Sequence, residues 1–442
     1  MKMKSGILLC ILCAGIAWTQ TTTLTMDECV ATALQQNPQV VQGEFYYKMA
    51  ERDVMISLSN FLPDVSASLG YNHSVVGPSS FVRIDPQTGI EIKERTAETY
   101  DFASSAGLSV SQTLFSGGYN YFNYRSANDQ KNSSMHQFES IRQQIIYLVK
   151  ERYYNLLKAQ KLLEVQEESL KYAEESYKRA QVLNEVGKVP KSDVLQAKVQ
   201  LEESRLLLIE AQNGLSIARA SLNHVLGFDV EKEIQVVDNL DAPEKWEIPY
   251  EEAVQSSIQF NPSLLKSISD VKGSRAGIGM AVSRYMPQVS AFYSYSWRNK
   301  FLKNIDEIRD QDYNWYAGVR LSLPLFEGFS KIAQLSKAKL NYKYSQEALE
   351  QTHKDIGLEV KQSYFNMQQA ERKISVTQDG EEAAGENLRL NQEKYNLGAG
   401  TMLDLINSQV NYTQARSNRI QALYDLKLSV ARLQKAMGKL EK

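Results

Sequence analysis

The chain has 442 residues and nearly balanced charge, with 50 Lys and Arg against 52 Asp and Glu. That balance gives no basic field for nucleic acid. Four His, dispersed at His73, His136, His224 and His353, leave no cluster at metal-ligand spacing.

The first 18 residues read as a secretory leader. Lys2 and Lys4 charge its start, Ile7 to Ala17 form an apolar core too short to span a bilayer, and Gly15-Ile16-Ala17 offers small residues for cleavage. Cys10 and Cys13 follow Leu9 and Leu12, not the small residue that a lipoprotein cleavage needs. Cys29 is then the one thiol left in the exported chain, which excludes an intrachain disulfide. No later run approaches the ~20 apolar residues of a transmembrane helix.

A duplication follows. Asn37-Pro38 recurs as Asn261-Pro262, and Pro63 to Ala67 as Pro287 to Ala291, both 224 residues on. Leu114-Phe115, Gly117, Val149-Lys150, Gly187, Asp193 and Gly227 recur 211 residues on, at Leu325-Phe326, Gly328, Val360-Lys361, Gly398, Asp404 and Gly438. The offset falls by 13 between the strands of copy one, so that copy has the longer loop there.

The predicted organisation is a leader over 1–18, repeat one over 19–227, an equatorial linker over 228–249, repeat two over 250–438 and a tail over 439–442. Repeat one holds short helices either side of Asn37, strands near 63–75 and 100–115, a long helix over 119–186 and a helix over 191–226. Repeat two matches it with a helix over 262–284, strands near 287–297 and 313–324, a long helix over 329–397 and a helix over 402–437. Residues 119–186 contain no Gly or Pro, and a helix of that length extends ~100 Å. Its charges, Lys150-Glu151-Arg152 among them, exclude a membrane span. Val194, Leu201, Leu208, Leu215 and Leu222 recur every seventh residue, with Ala197, Ser204, Ala211, Ala218 and Val225 three places later, a sustained coiled-coil pattern. The second long helix keeps the heptad from Val360 to Tyr395 with Glu381 as its exception. In the linker, Ile234-Gln235-Val236-Val237 reads as a short strand, ahead of Asp241-Ala242-Pro243 and Trp246.

The four strands alternate large apolar with small or polar residues, as strands of a transmembrane barrel do. Val65, Ala67, Leu69 and Tyr71 oppose Ser66, Ser68 and Gly70; Tyr313, Trp315, Ala317, Val319 and Leu321 oppose Asn314, Gly318, Arg320 and Ser322. Tyr71, Tyr100, Phe102, Tyr295, Trp297, Tyr313 and Trp315 gather at the loop ends, where an aromatic girdle would meet the membrane surface. Arg320 falls on the barrel-lumen face. The loops over 75–98 and 298–312 are long and charged. Soluble hairpins, each with one face on a core, are the alternative. Four strands cannot close a membrane barrel, and lipid tolerates no open edge; two copies would give eight strands and three would give twelve.

These features resemble the TolC family of outer-membrane efflux proteins over essentially the whole exported chain. The carriers are the paired Asn-Pro, the joints Leu114-Phe115-Ser116-Gly117-Gly118 and Pro324-Leu325-Phe326-Glu327-Gly328, the turns Val186-Gly187-Lys188-Val189-Pro190 and Leu397-Gly398-Ala399-Gly400-Thr401, and Asp193 and Asp404 after them. The resemblance implies a mainly α fold with a small membrane β-barrel: a homotrimer sharing twelve strands, continued by a periplasmic helical tunnel. It implies outer-membrane lipid around the barrel, a periplasmic adaptor at the tips, and a proton- or ATP-driven inner-membrane pump. It places a gate at Tyr395, Asp404 and Asn407, with Ser192 and Asp193 as partners of a tie. Gly400 stands where some members carry the tying arginine, and Asn407 where a second aspartate is often found. The tip set is Gly187, Lys188, Val189, Pro190, Gly398, Ala399, Gly400 and Thr401.

Asp193 and Asp404 also suit plain helix starts, where acids complement the dipole, and the tip residues suit plain turn chemistry. No phosphate loop, nucleophile elbow or paired acids at a cleft is present, so no enzyme, cofactor or metal is expected. The expected function is a passive exit duct for a tripartite efflux or type I secretion system; an exported periplasmic coiled-coil scaffold is the alternative.

Overall fold

The computed structural model describes residues 22–237, 248–299 and 313–440. The expected leader, residues 241–246 of the linker and most of the second loop lie outside them. In order the elements are β1 (Thr22–Leu24), α1 (Met26–Gln36), α2 (Pro38–Ser59), β2 (Asp64–Val76), β3 (Ser80–Ile84), β4 (Glu91–Arg95), β5 (Thr99–Phe115), α3 (Tyr119–Glu185) and α4 (Lys191–Leu226). Then come β6 (Ile234–Val236), α5 (Tyr250–Phe260), α6 (Pro262–Ser283), β7 (Gln288–Asn299), β8 (Tyr313–Ser322), α7 (Ser330–Asn396) and α8 (Met402–Ala436). No described helix is long and apolar enough to cross a membrane.

Two compact units form, and neither coincides with a repeat. One comprises 1–45, 137–264 and 353–442; the other comprises 46–136 and 265–352. Each draws matching segments from both copies, because the helices of one copy bury their apolar rows against those of the other.

In the first unit, Cys29, Val30 and Ala33 of α1 pack with Ile145, Val149 and Leu156 of α3, Leu222 and Leu226 of α4, and Tyr424 of α8. β1 runs parallel to β6 in register Thr22↔Ile234, and Tyr153 donates to the Val237 carbonyl at 2.6 Å. The duplicated Asn-Pro is a joint. The Asn37 amide donates to the Val225 carbonyl at the end of α4 (2.8 Å), and its oxygen accepts from the Gln39 N–H (2.9 Å), capping α2. Asn261 repeats both bonds, to the Ala436 carbonyl of α8 (3.1 Å) and from the Ser263 N–H (2.9 Å). Proline suits the first helical position because its missing N–H would lack a helical partner anyway.

The glycines that recur 211 residues apart end helices. Gly187, Gly227, Gly398 and Gly438 all have φ between +73° and +79°. Each is followed by an N–H that reaches back five residues, as from Lys188 to the Leu183 carbonyl and from Ala399 to the Lys394 carbonyl. That is the helix-ending motif for which glycine is the least strained residue. Gly227 and Gly438 carry a second constraint: a Cβ on Gly438 would lie 2.5 Å from the Phe260 carbonyl, and one on Gly227 2.9 Å from the Gln36 carbonyl.

In the second unit a four-stranded antiparallel sheet has the order β2-β5-β7-β8. The loop expected over 75–98 is not irregular. It carries the hairpin β3–β4, registered Ser80↔Arg95. Gly117 turns the chain from β5 into α3 with φ +65°; a Cβ there would lie 2.6 Å from the Ser283 carbonyl. The expected start of the second long helix at 329 moves to Ser330, because Phe329 adopts φ +66° where copy one has Gly118. β8 stops at Ser322, short of the expected 324, since Pro324 cannot donate to a ladder.

The two kinds of glycine end should separate in stability. Gly187→Ala meets nothing within 4 Å and costs only left-handed strain, about 1–2 kcal/mol. Gly438→Ala adds the collision with Phe260 and should lower the helix-melting temperature further. Circular dichroism of the detergent-solubilised variants measures this; equal shifts would contradict the joint.

Candidate functional site

The turns α3–α4 and α7–α8 both belong to the first unit. Gly187, Lys188 and Pro190 are exposed and Val189 is half-buried. The Asn184 amide donates to the Val189 carbonyl at 2.8 Å, which fixes that turn. In the second turn Gly398, Ala399 and Thr401 are exposed and Gly400 is half-buried. Gly400 has no space to spare: a Cβ would meet Lys394 Cβ at 3.1 Å and the Tyr395 N at 3.2 Å. Apolar side chains flank both turns in the open, with Leu397 84% exposed and Val182, Val186, Leu195 and Leu403 each more than half exposed.

Just above the turns, Tyr395 is buried with Ala180, Ala197, Leu388, Met402, Leu405 and Ile406. Its hydroxyl has no hydrogen-bond partner in the described structure. Burial first, and then the Asp193 carboxylate, raise its pKa, while Arg179 opposes the shift. Asp193 is half-buried, and Ser192 Oγ lies 3.4 Å from its Oδ1.

Asp404 does something more local. Its N–H donates to Thr401 Oγ1 (3.1 Å), and Thr401 Oγ1–H and N–H donate back to its carboxylate (2.6 and 3.4 Å). This closed capping box begins α8. The Thr401 side-chain bond, then its backbone bond, hold the Asp404 carboxyl below the usual aspartate range. Asn407 is exposed one turn later.

Sequence reading missed the contacts between helices of different copies, because nothing in one helix identifies its partner. Arg179 of α3 donates to Asn396 Oδ1 of α7. Gln409 of α8 donates to Ser176 Oγ of α3 at 2.9 Å. Further along, Arg416 of α8 pairs with Glu168 of α3 and stands 4.0 Å from Glu381 of α7, which also accepts from Arg419 at 2.9 Å. Glu381, the break in the apolar heptad, is one of the two acids of this layer; that break was the available signal.

In the second unit the sheet has two unlike faces. Rows such as Ala67–Leu108–Tyr295–Trp315 and Val65–Val110–Tyr293–Ala317 make one face apolar. On it Leu69 is 88% exposed, and Val65, Tyr71, Tyr313, Trp315, Val319 and Leu321 are also open. Tyr295 stacks on Tyr313 (5.7 Å) and meets Trp297 edge-on (4.4 Å). Tyr100 and Phe102 pair with Val75 and His73, register positions of the same face; their side chains are not among those described. The other face is mostly Ser and Gly, with Ser66 Oγ 2.7 Å from Ser109 Oγ. Arg320 lies there, its guanidinium 5.3 Å from the Phe292 ring centre. That ring occupies the gap left by the missing side chain of Gly318, its cross-strand partner. Among the described residues no group of His, Cys, Asp and Glu is arranged to hold a metal ion.

The family model described as "Outer membrane efflux protein" matches residues 29–228 and 253–439. The outer membrane protein TolC of Vibrio cholerae is 22% identical over 94% of this chain and 91% of its own length. A probable efflux pump outer membrane protein, TtgC of Pseudomonas putida, is 25% identical over 66% of this chain and 60% of its own. Among solved structures, the CmeC outer membrane channel of Campylobacter jejuni superposes with a TM-score of 0.81 at 19% identity, covering 94% of this chain and 86% of that one. Two copies of a strand–strand–long helix–helix unit, one sheet with an apolar face and the family match over both copies lead to one conclusion: the chain belongs to the outer membrane efflux protein family.

Proposed function

We propose that this protein is the passive outer-membrane exit duct of a tripartite efflux or type I secretion system. The observation that carries the reading is the sheet: one apolar face is open, and its edge strands β2 and β8 lack partners among the described residues. Lipid accommodates the apolar face, but an open edge in hydrocarbon costs several kcal/mol per unpaired group. Further copies must therefore complete it. Strand directions alternate from β2 to β8, so an antiparallel ring can continue from one copy to the next. Three copies complete the twelve-strand homotrimer that the family resemblance implies. Arg320 then lines the lumen, and Tyr71, Tyr100, Phe102, Tyr295, Trp297, Tyr313 and Trp315 serve the girdle.

A periplasmic adaptor docks on the two turns, where Gly187 to Pro190 and Gly398 to Thr401 offer backbone and Val186, Leu397 and Leu403 offer apolar area. The inner-membrane pump supplies the energy. The gate lies beside these turns, at Tyr395, Asp193, Ser192, Asp404 and Asn407. With Gly400 unable to tie the α7–α8 turn to Ser192 and Asp193 of α4, the Arg179–Asn396 bond ties α3 to α7 instead.

Carbonate extraction of envelope membranes should leave the protein in the membrane pellet; release into the soluble fraction would favour a periplasmic scaffold. In planar bilayers Arg179→Ala should raise the open fraction. An exposed charge-assisted bond contributes about 1 kcal/mol, which converts to about a five-fold shift in a two-state population. Unchanged conductance would remove Arg179 from the gate.

Asp404 gives a pH test. Its carboxyl pKa is depressed in the folded state, so its stabilisation is present above the unfolded value, about 3.9, and is lost as pH falls through the folded one. Amide exchange in the first turn of α8 should accelerate below about pH 4. Asp404→Asn should exchange faster at neutral pH and lose that acid limb.

A further inference from the structure

We infer that the seam between neighbouring copies is an antiparallel β8–β2 pair with a defined register: Ser322 opposite Ser68 of the next copy, Leu321 opposite Leu69, Arg320 opposite Gly70, Val319 opposite Tyr71, Gly318 opposite Asn72 and Trp315 opposite Val75. The inference rests on the shared-barrel reading above and adds the one feature that a single chain does not display.

The duplication sets this register. β7 repeats β2 at an offset of 224, and β8 repeats β5 at an offset of 211. If the offsets carry hydrogen-bond register as well as sequence, the hairpin β2–β5 must map onto the hairpin β7–β8 pair by pair, and it does. Asp64↔Ser111 becomes Gln288↔Ser322, Tyr71↔Ser104 becomes Tyr295↔Trp315, and His73↔Phe102 becomes Trp297↔Tyr313. The two hairpins are therefore equivalent units of one ring.

Within a chain, hairpin one joins hairpin two through β5–β7. Between chains, hairpin two joins the next hairpin one through β8–β2. A ring of equivalent hairpins repeats the same junction. Adding 211 to each β5 position and subtracting 224 from each β7 position turns Ser111↔Phe292 into Ser322↔Ser68, and Ser109↔Ser294 into Arg320↔Gly70.

Chemistry supports this register. A slip of one residue would turn an apolar face inward; here Leu321, Val319, Ala317 and Trp315 meet Leu69, Tyr71, His73 and Val75 on one side. On the other side Ser322, Gly318 and Asn314 meet Ser68, Asn72 and Val76, and the two large side chains of β8, Tyr316 and Arg320, fall opposite the small Ser74 and Gly70. Arg320 lies between Ser290 of its own chain and Gly70 of the next copy, so neither neighbour crowds the guanidinium. The position equivalent to Thr113 is Pro324, which has no N–H and ends the seam at its helix end. The ladder then matches Asn314 to Ser322 with Ser68 to Val76, within the observed limits of both strands.

Paired cysteines test this. β2 and β8 lie three strand spacings apart in one chain, about 14 Å, so a disulfide between them must link two copies. The native Cys29 is buried, and burial raises its thiol to about 12, which keeps it silent. Ser68→Cys with Ser322→Cys, and on the other face Tyr71→Cys with Val319→Cys, should form interchain disulfides on oxidation in outer-membrane vesicles. Ser66→Cys with Ser322→Cys and Asn72→Cys with Arg320→Cys represent slips of two residues in opposite directions. Their Cβ atoms would be about 7–8 Å apart in the inferred register, too far for a disulfide, so they should stay monomeric on non-reducing gels. Linkage of either slipped pair in place of the matched ones overturns the register and leaves the shared barrel standing. No linkage in a protein that light scattering finds oligomeric also overturns it. A monomer by light scattering defeats the shared-barrel reading itself.

Discussion

The constraint on which this structure depends is the cost of an unpaired backbone group in hydrocarbon. A strand edge facing water can bind solvent; one facing lipid cannot. Among the described residues the sheet has four strands with an edge at each end, and its open apolar face suits lipid. On the barrel reading, oligomerisation follows from the backbone alone. It also explains why the large side chains need only alternate: pairing fixes the strands, and Val65, Leu69 and Val319 need only suit lipid.

A second economy lies at the joints. Asn37 and Asn261 each cap one helix and bind the carbonyl end of another, and Gly227 and Gly438 reverse the chain where the Gln36 and Phe260 carbonyls approach too closely for a Cβ. One amide side chain thus ties two helix ends together, the start of one and the close of the other. The same device appears in both copies, which is why Asn-Pro and glycine survive as landmarks while the helices between them have diverged.

Elements whose cause is local were legible in the sequence. Absence of Gly and Pro over 119–186 described a helix that the chain builds as Tyr119–Glu185, and strand alternation described both faces of the sheet. Elements whose cause lies elsewhere in the chain were not. The hairpin β3–β4 sits where charge and length suggested only loop, because a two-stranded ribbon carries little alternation. β1 is three residues whose strand form depends on β6, more than 200 positions away. At the tips, Asp404 read equally well as a dipole-complementing acid and as a constriction. The decisive neighbour was Thr401, three residues before it, in a capping box whose second member is Asp where Glu is usual.

The layers of polar contact between α3, α7 and α8 bear on how such a helical assembly holds one resting arrangement and still yields. Purely apolar heptads slide with little penalty, since any leucine accepts another. Arg416 does not. It must meet Glu168 on one side and Glu381 on the other while its guanidinium lies 5.8 Å from the Tyr412 ring. Removing a half-buried charge from such partners costs more than an exposed pair returns, so this layer fixes register. Toward the turns the ties are single hydrogen bonds: Gln409 to Ser176, buried, then Arg179 to Asn396 at the surface. Only the outermost of these ties, Arg179 to Asn396, is exposed, so it is the one for which an outside surface can compete most easily.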